Sequence, residues 1–145
     1  AIAEVSAMRS KDPSRKVGCC IANSSTKKIV SIGYNGFPRN CENDAFTWKK
    51  NGEWIDTKYP YVCHAEANAI LNHNSSTNGC TMYVTLMPCN ECAKLAIQAG
   101  ISRVVYTNEK NGESSTAAKK LFKKCNVCLE YLPAKFNISL VQPTD

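Results

Sequence analysis

His64-Ala65-Glu66 and, further along, Pro88-Cys89-Asn90-Glu91-Cys92 decide the reading of this chain. Both clusters stand where helices begin. Ala65, Ala67, Ala69, Ile70 and Leu71 follow the histidine, and Ala93, Leu95, Ala96 and Ile97 follow the second cysteine. One imidazole and two thiols, from His64, Cys89 and Cys92, can hold a zinc ion through three protein ligands. The fourth position is then left for water, which separates a catalytic zinc from a structural one closed by four side chains. Two thiolates cancel the formal charge of the ion, so it is a weaker Lewis acid than one held by three neutral imidazoles. Helix N-termini carry partial positive charge and favour thiolates, so two helix starts aimed at one metal supply the missing field. Pro88 suits the first turn of its helix, where an absent N–H costs little. Glu66 is expected off the metal, placed to move the protons of the water.

Outward from these clusters, strand-like and helical stretches alternate. Residues 1–10 read as a helix ended by Lys11-Asp12-Pro13. Val17 to Asn23 and Ile29 to Tyr34 read as strands joined by the turn Ser24-Ser25-Thr26, a hairpin. A helix is expected from about His64 to His73, a strand from Thr81 to Leu86, and a helix to Ala99 stopped by Gly100. Ser102 to Thr107 reads as a strand, Asn111-Gly112 as a turn, Ser115 to Lys124 as a helix and Val127 to Leu132 as a last strand. A hairpin followed by strand, helix, strand, helix and strand predicts an α/β fold: a five-stranded mixed sheet with helices on both faces. The whole of 1–145 is expected to be one domain, with 133–145 as a C-terminal tail. The helical pattern is already under way at Ala1 (Ile2, Val5, Met8), so the N-terminal helix is expected to be truncated. The long segment 37–62, with Trp48, Trp54, Tyr59 and Tyr61, is expected to be functional or covering.

Composition narrows the partners. At 145 residues and 43% hydrophobic content the chain is large enough for a sizeable core. No run approaches a membrane span and no secretory signal is visible, so no membrane partner is expected. Nine cysteines, without the spacing of a small disulfide scaffold, suggest a reducing compartment, and a cytoplasmic location is expected. The net charge of +6 is spread over pairs such as Lys27-Lys28, Lys49-Lys50, Lys119-Lys120 and Lys123-Lys124. The last four recur at helical spacing, which reads as a solvated face, and no basic run is interleaved with aromatics. No nucleic-acid partner is expected; a small phosphorylated substrate suits the balance.

Cys125-Asn126-Val127-Cys128 forms a second C-x-x-C and raises the reading of a four-cysteine structural zinc ribbon. That reading leaves His64 and Glu66 without a role. Cys125 and Cys128 are expected in the core, as are Cys19, Cys20 and Cys80. Cys63 is expected near the metal as packing, and His73 at a solvated helix end.

The H-x-E and P-C-x-x-C pair is the signature of zinc-dependent nucleobase deaminases. Further stretches narrow the resemblance: Arg9-Ser10-Lys11-Asp12-Pro13, Gly33-Tyr34-Asn35-Gly36, and Asp56 to Glu66, which reads DTKYPYVCHAE. With these, the chain from Ala1 to about Leu132 resembles the deoxycytidylate (dCMP) deaminases. The resemblance implies a three-layer α/β/α cytidine-deaminase-like fold and hydrolysis of dCMP to dUMP and ammonia, feeding thymidylate synthesis. Water activated at the metal attacks C4, while Glu66 takes its proton, delivers it to N3 and then protonates the departing amine. The resemblance also implies a homo-oligomer, a hexamer, activated by dCTP with Mg²⁺ and inhibited by dTTP. Gly33, Tyr34, Asn35 and Gly36 are linked with that effector site, although Gly and Asn at a strand end equally make an ordinary turn. Arg9, Ser10 and Lys11 would contribute to phosphate or nucleotide binding, or form a solvated helix end. Asn35 is a candidate for the deoxyribose as well as for the effector, and Ala65 and Pro88 are expected beside the base.

One departure stands out. The family often places an aromatic residue shortly after the strand ending near Thr107, whereas this chain reads Asn108-Glu109-Lys110-Asn111-Gly112-Glu113. Tyr106 is the nearest candidate to stack on the base, or it is a strand residue facing the core. The small loop raises the alternative of an enzyme that also deaminates dCTP to dUTP. A tRNA adenosine deaminase, a nucleoside cytidine deaminase and a non-catalytic zinc module are the remaining rivals.

Overall fold

The computed structural model describes residues 1–41, 45–133, 135, 137–139, 141 and 142, so parts of segment 37–62 and of the expected 133–145 tail lie outside the described residues. The elements run α1 (Ile2–Ala7), β1 (Gly18–Ala22), β2 (Ile29–Tyr34), a 3₁₀ turn (Trp54–Asp56), α2 (Ala65–Leu71), β3 (Thr81–Val84), α3 (Asn90–Gln98), β4 (Arg103–Tyr106), α4 (Glu113–Lys124) and β5 (Cys128–Tyr131). The five strands form one mixed sheet in the order β2-β1-β3-β4-β5. β1 is antiparallel to both β2 and β3, while β3, β4 and β5 are parallel to one another. The expected hairpin and the expected five-stranded mixed sheet are both present.

Register assigns the faces. Cys19 lies opposite Val84 and Ile21 opposite Met82, while Met82 and Val84 lie opposite Val104 and Tyr106. These six side chains share one face and are buried in the main core with Ala65, Ala69, Ala93, Ala96, Ala118 and Phe122 from α2, α3 and α4. The β3-α3-β4 and β4-α4-β5 crossovers thus lie together on that face, as right-handed connections between parallel neighbours require. α1 lies on the other. A Cβ on Gly18 would fall 1.9 Å from the Ala3 carbonyl oxygen of α1, and one on Gly33 would fall 2.3 Å from the Ala65 carbonyl oxygen of α2. Successive residues point to opposite faces of a strand, and Gly33 pairs with Cys19, next to Gly18. The two glycines therefore let two helices sit close on opposite sides of the sheet.

Two expectations are corrected. The first helix is shorter than 1–10, because past Ala7 the backbone tightens into turns in which the Met8, Arg9 and Ser10 N–H groups bond to Val5, Ser6 and Ala7 carbonyls. Cys125 and Cys128 are exposed and not core residues. Cys125 caps the end of α4, and Cys128 opens β5, an edge strand with one neighbour only. Cys19, Cys20 and Cys80 are buried as expected. Lys119, Lys120, Lys123 and Lys124 lie on the exposed side of α4. Among the described residues no helix is long and apolar enough to cross a membrane.

Candidate metal centre and catalytic cavity

His64 is the N-cap of α2 and Cys89 the N-cap of α3, so the two helix starts bring the metal-binding residues together. The Cys89 Sγ accepts the Cys92 N–H at 3.4 Å, fixing both sulfurs on one turn. His64 Nδ1 lies 3.6 Å from Cys89 Sγ and 3.4 Å from Cys92 Sγ. Zinc bonded at ordinary lengths and tetrahedral angles needs such N···S edges to be about 3.6 Å. The three donor atoms fit that ion, and they form the one such cluster among the described residues. Pro88 is buried and stands before the N-cap, outside the first turn in which it was expected; its ring biases Met87 to an extended conformation. Met87 is then held by its N–H to the Asn108 carbonyl at 2.8 Å. Ser114, at the start of α4, accepts the Asn90 N–H at 3.2 Å and donates to Asn90 Oδ1 at 2.9 Å, which ties the cysteine turn to the next helix.

The Cys89 thiol is pulled down to about 3, first by the hydrogen bond with Cys92, against burial, and then by His64. Cys92 is pushed well up by the same bond, since one proton serves both sulfurs. A metal displaces that proton when both become thiolate ligands. Glu66, in the first turn of α2, is 4% exposed, and burial raises its pKa above the ordinary carboxylate value. It lies outside the ligand cluster.

A cavity of about 120 Å³ opens over these groups, lined by His64, Ala65, Glu66, Met87 and Cys89. Asp12, Arg15, Asn35, Lys58, Tyr59 and Lys110 line it as well. Of the expected substrate residues, Asn35 and Ala65 are here. Arg9 and Lys11 are not; they line a separate concavity of about 190 Å³ with Tyr34, Asn35, Gly36 and Trp48. The Arg9 guanidinium sits 5.2 Å from the centre of the Tyr34 ring. Ser10 is buried and its hydroxyl donates to the Asn35 carbonyl at 2.9 Å. Gly33 is turned away beneath α2, so its place in the motif serves helix packing and not ligand approach. Tyr106 is a core residue. It is 4% exposed, its hydroxyl donates to Glu109 Oε2 at 2.9 Å, and it does not line the cavity.

Lys58 and Asp12 were not singled out as site residues from the sequence, although both lie in the quoted stretches. Lys58 Nζ meets Asp12 Oδ2 at 2.5 Å, with side-chain exposures of 8% and 1%. The long segment that carries Lys58 is held by its own aromatics: Phe37 packs on Trp48 at 4.2 Å and Phe46 stacks on Tyr61 at 4.3 Å.

An unliganded glutamate two residues after the histidine ligand is what separates a zinc deaminase from a structural zinc site, and the class of protein follows from it. A family model described as "Cytidine and deoxycytidylate deaminase zinc-binding region" matches residues 1–108. The chain belongs to the cytidine and deoxycytidylate deaminase family. It is 53% identical over 141 residues to a deoxycytidylate deaminase of Mus musculus, covering 94% of this chain and 79% of the mouse protein. The corresponding Homo sapiens protein is 55% identical over 131 residues, covering 88% of this chain and 73% of the human one. Among solved structures, the dCMP deaminase of cyanophage S-TIM5 in complex with dCMP and dUMP is similar with a TM-score of 0.73 at 27% identity, covering 90% of each chain.

Proposed function

We propose that this chain hydrolyses dCMP to dUMP and ammonia, with His64, Cys89 and Cys92 as zinc ligands and Glu66 as the proton carrier. The observation that carries the reading is Glu66 itself, buried, off the ligand set and lining the cavity that His64 and Cys89 also line. The names of the mouse and human relatives supply the substrate. Bound zinc would supply a water acidified toward neutrality. Glu66 takes one proton of the attacking water and passes it to N3 of the cytosine, where it stays, and then carries the proton of the new C4 hydroxyl to the departing amine. Its raised pKa suits a group that must both accept and release a proton near neutral pH. Ala65, without side-chain bulk, and Met87 offer the apolar wall a planar base needs.

The regulatory reading places dCTP with Mg²⁺ as activator and dTTP as inhibitor in the second concavity, within a homo-oligomer, a hexamer. What supports it is that Arg9, Lys11, Tyr34 and Gly36 gather there, with Asn35 shared between this concavity and the catalytic cavity. A second reading, that dCTP is also deaminated, is favoured by a polar cavity of about 350 Å³ that meets the catalytic one at Arg15, Val17 and Leu86. Ammonia release from dCMP, with and without dCTP and Mg²⁺, tests the proposal, with dCTP alone, deoxycytidine and adenosine-containing RNA as parallel substrates. Turnover of dCMP above all others is the expected result. Silence on dCMP overturns the function, and silence on dCTP alone removes the second reading.

A further inference from the structure

The buried Asp12–Lys58 pair does more than hold the fold. An ammonium has three N–H donors. Among the described residues Lys58 Nζ spends one, on Asp12 Oδ2, and Lys58 lines the catalytic cavity with its side chain 8% exposed. Asp12 lines the same cavity. Its Oδ1 accepts the Ser14 and Arg15 N–H groups at 2.8 and 3.2 Å, and its Oδ2 accepts Lys58 and, at 3.4 Å, the Asn35 amide. Asn35, the residue the sequence offered for the sugar, is already committed. Its Oδ1 accepts the Val17 N–H at 2.9 Å, and its amide nitrogen donates to the Arg15 carbonyl at 3.0 Å as well as to Asp12.

A ligand group meeting this pair faces a donor and an acceptor side by side with no net charge. A phosphate there would be repelled by the Asp12 carboxylate. A hydroxyl fits, because it accepts from Lys58 while its own proton takes the place of the long 3.4 Å Asn35 contact on Asp12 Oδ2. In a 5′-deoxynucleotide the 3′-hydroxyl is the one such group outside the base. We infer that Asp12 and Lys58 read the 3′-hydroxyl of the substrate's deoxyribose, with Asn35 holding, through the Arg15 carbonyl, the turn whose N–H groups fix Asp12. This rests on the dCMP reading above. It also implies rejection of cytosines whose 3′ oxygen is esterified, because the ester would carry an anion onto Asp12. The pair would thereby confine the enzyme to free mononucleotides.

The test compares kcat/KM for dCMP, 2′,3′-dideoxycytidine 5′-monophosphate and deoxycytidine 3′,5′-bisphosphate on the zinc-loaded protein. A site built to hydrogen-bond a hydroxyl rejects the analogue lacking it strongly, so a loss of about 100-fold is expected for the dideoxy compound and at least as much for the bisphosphate. In Lys58→Met the preference for dCMP over the dideoxy compound should shrink to within about threefold, whatever the overall rate. A wild-type protein that uses both within about threefold overturns the inference, as does a folded Lys58→Met variant that keeps the full preference. If Lys58→Met does not fold, the wild-type substrate series decides alone. A protein silent on dCMP too would overturn the substrate reading, and this inference with it.

Discussion

Glu66 and Asp12 are both buried carboxylates, and their surroundings push them in opposite directions. Around Glu66 burial prevails and the pKa rises. Around Asp12 burial also raises, but the hydrogen bond from Lys58 and the backbone N–H groups of Ser14 and Arg15 outweigh it, and the net shift is downward. The first is suited to carrying protons, the second to staying charged. Glu66→Gln should therefore keep the fold and the metal while kcat falls by at least about 100-fold, the range of a lost general acid–base. Metal content and ammonia release, measured on the same sample, check both halves. For Asp12, a folded-state pKa below its unfolded value contributes stability that is complete above the ordinary value of 3.8 and fades as pH falls through the folded one. Asp12→Asn leaves Lys58 buried without its counter-charge and should cost about 3–5 kcal/mol at neutral pH. That gap should narrow as pH drops below 3.8, read from urea unfolding of the two proteins side by side. Acid also strips zinc ligands, but equally in both, so the difference isolates Asp12.

At the scale of elements, legibility followed local chemistry. The metal ligands were readable because helix starts and ligand spacing are short-range, and Cys89 and His64 stand at the N-caps as expected. The stop at Gly100 was readable too, since its φ of +79° is one that a side chain resists. What sequence did not reveal was which residues meet across distance. Lys58 reaches Asp12 over 46 positions, and neither residue has a local pattern that announces the pair. Tyr106 could be read as core or as base-stacking because strand alternation gives two faces without saying which is wet; pairing with Val84 puts it inside. Cys125 and Cys128 looked like core because the run beside them is apolar, but an edge strand buries less than its composition suggests. Gly33 is the element-scale determinant of the site. Gly33→Ala forces α2 off β2, and α2 carries Glu66 with His64 at its cap, so activity should fall more than stability does. Comparing kcat/KM with the unfolding midpoint of that variant measures the two effects separately; equal losses would mean that α2 only packs.

At the scale of the whole molecule, a zinc ion held by His64, Cys89 and Cys92 would tie α2 to α3, elements that otherwise meet through packing. His64 comes from one and Cys89 with Cys92 from the other; α2 packs on the hairpin of β1 and β2, and α3 against α2 and α4. An ion that binds the folded chain alone stabilises it by mass action, about 4 kcal/mol when its free concentration is a thousandfold above Kd. For a chain of this length each kcal/mol moves Tm by about 2–4 °C, so chelation should lower Tm by roughly 8–16 °C. Cys125→Ser and Cys128→Ser should leave both Tm and zinc content unchanged, because their thiols are exposed and stand apart from the ligand cluster. Calorimetry with and without chelator, paired with metal analysis at one zinc per chain, checks this. Loss of zinc in either serine variant would make the centre a four-cysteine ribbon and remove the open position that catalysis needs. The Tm shift carries further weight because it is independent of turnover. A protein stabilised by zinc yet silent on every cytosine nucleotide would keep its metal centre and lose its enzymology.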